Sequence, residues 1–168
     1  MNIQKFTQKS LEAIHDCEKL AYEYENQEIE QEHLLAALLE QQEGLLPRLM
    51  QKMQIDLEGI TAGVRALLAA KVKVQGGQLV VGQYLNRVLT CAEDEAKAMG
   101  DAYVSVEHLF LSMMKYPSKT MKNLLREYGI TREGFLAALS EVRGSQRVTS
   151  DNPEATYDTL EKYGSDMV

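Results

Sequence analysis

A chain of 168 residues, 45% hydrophobic and 26% charged, can close one ordinary core without disulfide or metal staples, which excludes a disordered chain. Its formal net charge of -7 has the wrong sign for the basic footprint of a nucleic-acid binder or of a protein docking on anionic lipid, so neither nucleic acid nor membrane is expected as a partner. Cys17 and Cys91 form no CxxC pair, no secretory signal opens the chain, and no apolar run approaches the roughly 20 residues of a membrane span, so a cytoplasmic location is expected.

Apolar spacing predicts a helix over about 7–25, with Leu11, Ile14, Cys17, Leu20 and Ala21 near one face. A second helix is expected over about 31–42 around Leu34, Leu35, Leu38 and Leu39, and a third over about 45–53 carrying Leu46, Leu49, Met50 and Met53. The fourth starts after Asp56, an N-cap residue, and carries Leu57, Ile60, Val64 and Leu67. Lys71 to Gly82 holds a Gly-Gly pair and reads as a connection, in which the valines could extend but find no strand partner. The fifth helix is expected from Tyr84 to Met99; Ser105 caps the sixth and Pro117 marks its end. Met121, Leu124, Leu125 and Tyr128 line the seventh, and Thr131 caps an eighth with Phe135, Leu139 and Val142 inward. Residues 144–152 are polar and read as a loop. Asn152 as N-cap and Pro153 at the first helical position then start a short helix with a narrow stripe of Tyr157, Leu160 and Tyr163.

These elements repeat. Glu32-His33-Leu34 returns as Glu107-His108-Leu109, an offset of 75, and the same frame carries Leu49 to Leu124, Met50 to Leu125, Ile55 to Ile130 and Ile60 to Phe135. Upstream the offset is 74, pairing Leu11 with Leu85, Ile14 with Val88 and Cys17 with Cys91. The expected fold is all-α: two tandem four-helix repeats related by pseudo-twofold symmetry, plus a short C-terminal helix.

Residues that carry chemistry are sparse. There is no GxxxxGK[ST], no HExxH and no Cys/His cluster, so no metal is expected. His33 and His108 occupy equivalent helix starts and read as structural histidines bonding the preceding loop, with a ligand role or a pH-sensitive contact as alternatives. Cys17 and Cys91 read as small core hydrophobes rather than paired nucleophiles. Glu23, Glu25, Glu28, Glu30 and Glu32 read as a solvated edge, the alternatives being a cation site or a basic partner. Met50, Met53, Met113, Met114 and Met121 read as core, or as the lining of an apolar groove along the seam between the repeats, where a segment of another protein could lie.

Phe6-Thr7 before the first helix, Ile29 through His33-Leu34-Leu35, and Gly100 through Ser105-Val106-Glu107-His108-Leu109 resemble the Clp repeat domain, the double four-helix module at the N-terminus of Clp-type AAA+ unfoldases. The resemblance covers about residues 3–144, with repeat 1 at about 6–70 and repeat 2 at about 81–144. Residues 145–168 resemble the linker that leads to the first ATPase module in ClpB-type disaggregases. It implies an intact protein that is a hexameric, ATP- and Mg-dependent chaperone in the stress response. That protein would cooperate with the DnaK system, and this domain would be its contact for unfolded or aggregated polypeptides. The fragment itself would have no cofactor and no catalytic residues. Substrate-contact positions implied by the resemblance are Thr7, Leu89 and Cys91, together with Glu95 and His108, where relatives tend to carry leucine. Gln31 stands where a proline is often found, which should only soften a helix start. The alternative is an adaptor-docking domain of a ClpA- or ClpC-type unfoldase; a stand-alone enzyme has no positive support.

Overall fold

The run Leu34-Leu35-Ala36-Ala37-Leu38-Leu39 has no polar side, and a helix apolar all round must be wrapped by others. In a computed structural model, which describes residues 3–144 and residue 148, every residue from Gln31 to Leu39 is buried. This helix, α2 (Gln31–Leu39), packs against α1 (Gln8–Glu23) and α4 (Leu57–Ala70). Its counterpart α6 (Val106–Lys115), buried from Val106 to Met113, packs against α5 (Gln83–Ala98) and α8 (Arg132–Arg143). The short helices α3 (Leu45–Lys52) and α7 (Lys119–Glu127) cross between the copies: α3 packs on α6 and α8, and α7 on α4. The core is therefore continuous, with Phe110 and Phe135 in ring contact at 4.9 Å. The fold is mostly helical, in line with the expected all-α class.

Caps set most helix starts. Thr7, Asp56 and Thr131 accept the backbone N–H three residues on, from Ser10 at 3.2 Å, Gly59 at 3.1 Å and Gly134 at 3.1 Å. Helix ends fall short of the expected ones: α1 stops at Glu23 and α2 at Leu39. The buried stripe of α4 ends on Leu68, four residues beyond Val64, with Leu67 only partly buried. The expected helix at 152–163 lies outside the described residues.

One expectation is overturned. The connection does have a strand partner: β2 (Val80–Val81) lies parallel to β1 (Glu28–Ile29), because the extended turn before α2 offers the carbonyls of Gln27 and Ile29 to the N–H groups of Val80 and Gly82, at 3.0 and 2.8 Å. A two-residue strand leaves no period-2 signal in a sequence.

The repeat reaches down to single dihedrals. After α1 the chain turns through a left-handed residue, Glu25 (φ 56), and after α5 through Gly100 (φ 72). After α3 and α7 the same pair recurs as Gln54 (φ 60) and Gly129 (φ 69). Only the second copy uses glycine, the residue that meets no Cβ penalty there.

Candidate functional site

The polar residues that the fold gathers lie at the starts of α2 and α6. In the first copy the Glu30 N–H donates to Nδ1 of His33 at 2.9 Å, which places the ring proton on Nε2, 2.9 Å from Oδ1 of Asn26. His33 is fully buried, and burial, aided by the nearby Lys71 charge, lowers its pKa to about 4. Lys71 closes the group, 2.5 Å from Glu30 and 3.3 Å from Glu32. Burial works against the Lys71 charge, but the two carboxylates outweigh it and raise its pKa. Glu32 is only 3% exposed, so the acidic run is not wholly a solvated edge: α2 turns this carboxylate inward, where Lys71 and Thr120 bond it.

The second copy builds the same turn with charge. The Ser105 N–H donates to Nδ1 of His108 at 2.9 Å, and Nε2 faces Oδ2 of Asp101 at 2.7 Å. Arg143 arrives from the end of α8 and donates to Asp101 at 2.6 Å and Glu107 at 3.4 Å. The N–H of Val148 donates to Asp101 Oδ1 at 2.8 Å. Burial opposes the charge on Asp101, yet the bonds from His108, Arg143 and Val148 hold its pKa well below the carboxylate range. Both histidines thus do what the structural reading expected: each ring bonds its preceding loop.

Ser105, His108 and Asp101 have the composition of a hydrolytic triad, but their bonds run otherwise. A triad needs the basic imidazole nitrogen free for the nucleophile's proton. Here Nδ1 accepts a backbone N–H, its contact with Ser105 Oγ is 3.2 Å, and that hydroxyl donates to Glu107. Ser105 and His108 are fully buried. The arrangement fastens a turn.

The five residues implied as substrate contacts are dispersed. Thr7 is fully buried as the cap of α1, with its N–H on the Val104 carbonyl. Leu89 lies on the buried face of α5 with Leu85, Ala92 and Ala96. Cys91 and Glu95, four apart, share another stripe of α5; Cys91 is partly exposed, while Glu95 is buried under Arg132 at 2.8 Å. His108 sits inside the second turn. Cys17 is buried, and that burial raises its thiol pKa, as fits a core hydrophobe; Cys91, expected to be one too, is only partly buried and outside the core cluster. Met50, Met113 and Met121 are fully buried, with Met53 and Met114 at the core edge.

Gln31 does more than soften a helix start. Its amide nitrogen donates to the carbonyls of Tyr84 at 3.3 Å and Tyr116 at 2.8 Å, and its oxygen accepts the Ser118 N–H at 2.9 Å. One side chain thus ties α2 to the start of α5 and to the α6–α7 loop of the other copy, which proline could not do. Gln31→Ala should lower unfolding stability by roughly 1–2 kcal/mol, measured by urea denaturation, because three part-buried backbone groups lose their partner at once.

Besides Ile3 and Tyr22, the large apolar groups left outside lie on or next to the connection between the copies. Val72 is 80% exposed, and Val80, Val81 and Tyr84 are about half exposed. Among the described residues no group of three His, Cys, Asp or Glu is placed to hold a metal, and no helix is long and apolar enough to cross a membrane.

The family model for the Clp repeat (R) N-terminal domain matches residues 5–128, which is most of the chain. The chain belongs to this Clp repeat family. This Clp repeat domain is 42% identical over 174 residues to the chaperone protein ClpB of Nitratidesulfovibrio vulgaris, and 42% identical over 173 residues to that of Bacillus cereus. Each alignment covers 100% of this chain and 20% of the relative, so the chain spans about a fifth of the ClpB proteins it matches. Its fold matches the Hsp104 N-terminal domain from Candida albicans at a TM-score of 0.79, with 22% identity over 89% of this chain and 99% of that one. It also matches the ClpV N-domain in complex with a VipB peptide at a TM-score of 0.68, with 18% identity over 82% and 86% of the two chains.

Proposed function

We propose that this Clp repeat domain is the polypeptide-contacting N-terminal domain of a ClpB-type disaggregase, meeting unfolded or aggregated protein. The observation that carries this is apolar surface concentrated at the junction of the copies, at Val72, Val80, Val81 and Tyr84, in a chain whose full-length relatives are chaperones. Exposed valines on a short extended segment suit weak, sequence-tolerant contact with extended chains. Residues 145–168 then serve as the linker to an ATPase module. ATP and Mg would act there, in a cytoplasmic hexamer working with DnaK. Thr7, Leu89 and Cys91 would take part where the seam opens, and Glu95 and His108 would tune its polarity.

Titration of the isotope-labelled chain with a permanently unfolded model protein tests this. Weak, saturable amide shifts at Val80, Val81 and Tyr84, or at Thr7, Leu89 and Cys91, are expected. Shifts confined to Glu23, Glu25 and Glu28 would overturn the proposal, as would none at all.

A further inference from the structure

Four residues, Asp101 to Val104, hold the chain at both of its described ends. On the N-terminal side the Val104 N–H donates to the Lys5 carbonyl at 2.7 Å and the Thr7 N–H returns to the Val104 carbonyl at 2.9 Å, so Phe6 and Val104 form a parallel bridge. On the C-terminal side the Ala102 N–H donates to the Val148 carbonyl at 2.7 Å, and the Val148 N–H donates to Asp101 Oδ1 at 2.8 Å. Ala102 and Val104 lie two apart in the bent loop between α5 and α6, so one short loop receives both contacts. Val148 is fully buried although it lies four residues beyond the close of α8 at Gly144.

We infer that Asp101–Val104 is an exit latch: it seizes the departing chain at Val148, and it can release Val148 without unfolding the helices. Three features point there. The anchoring carboxylate is itself fixed, because Arg143 and His108 bond Asp101 from the other sides. Among the described residues, Val148 is held by one bond from its N–H, one to its carbonyl and one valine side chain, a small fraction of what holds any helix, which is the condition for sub-global opening. The helix before it is closed off, since Gly144 is left-handed (φ 62), so Val148 owes its place to the loop after α5 and not to a continuation of α8. Latched, Val148 stays fixed beside Asp101 and Ala102; released, it gives up both of those bonds together.

Amide hydrogen exchange on the 168-residue chain tests this, with Val148→Pro deleting the donor to Asp101 and Val148→Ala keeping both backbone bonds while trimming the side chain. In the unaltered chain the Ala102 amide should be protected, yet exchange faster than Leu109 and Phe110 in α6. Val148→Pro should speed Ala102 about tenfold, the worth of one hydrogen bond, with α6 amides unchanged within about twofold. Val148→Ala should give a smaller acceleration confined to the same site. Exchange of Ala102 at the α6 rate in the unaltered chain would overturn the latch, because release would then require global unfolding. Absence of protection at Ala102, or indifference of its rate to both substitutions, would overturn it equally.

Discussion

Replacing Arg143 by alanine should cost the domain about 3–5 kcal/mol, the largest effect expected of any single polar substitution in the fold. Arg143 is 3% exposed and supplies the cation for Asp101 and Glu107, whose side chains are both fully buried. Removing the guanidinium leaves two carboxylates inside without their counter-charge. His108 still bonds one of them, but neither side chain touches solvent. Urea unfolding at neutral pH measures the loss as a lowered midpoint. Arg143→Met with Asp101→Asn and Glu107→Gln should restore part of it, since removing the charges together also removes the desolvation cost. A single substitution that costs under about 1 kcal/mol would mean that solvent enters the cluster, the regime of surface ion pairs.

Acid should weaken the fold in two stages, the first set by His33. In the unfolded chain its imidazole takes a proton near pH 6.5; in the folded chain it does so only at about 4. Between those values protonation stabilises the unfolded chain alone. The stability tied to neutral His33 is therefore complete above pH 6.5 and is lost as pH falls toward 4, by about 3 kcal/mol in all. Protonation at Nδ1 would also destroy the acceptor for the Glu30 N–H. His33→Gln keeps an acceptor at the third helical position without titrating, so its stability should be flat across that window. The second stage belongs to Asp101. Its pKa is depressed on folding, so its contribution is present above the ordinary carboxylate pKa of about 4 and is lost below it. Urea midpoints taken at intervals from about pH 7.5 to pH 3.5 would show the first stage in the unaltered chain and its absence in the variant.

How much of this is legible in the residues depends on the kind of signal. Helices with apolar periodicity, such as those around Leu49 and Leu124, announce themselves, and the Glu-His-Leu triplets reveal the duplication. The offset of 75 also puts Asn26 and Asp101 at one position, seven residues ahead of His33 and His108, so the partner of each ring is marked in the repeat frame itself. Lys71 and Arg143 escape that frame because they are not equivalent in it: each reaches its carboxylate from the end of its own fourth helix, but from different positions. Gln31 escapes because a bridging amide depends on where three distant backbone groups come to rest, which no local pattern encodes. Leu89 is legible as apolar and Thr7 as a helix cap, but neither as buried, because burial depends on what packs over them.

The bridge at Phe6 and the contact at Val148 meet the same short loop between α5 and α6, two residues apart, at Val104 and Ala102. A domain whose entry and exit points adjoin behaves as a pendant: it can hang from a host chain without stretching the host between two attachment points. The same closeness suits it to transplantation, for example by splicing it into a surface loop of an unrelated protein, where a domain with distant ends would pull its host apart.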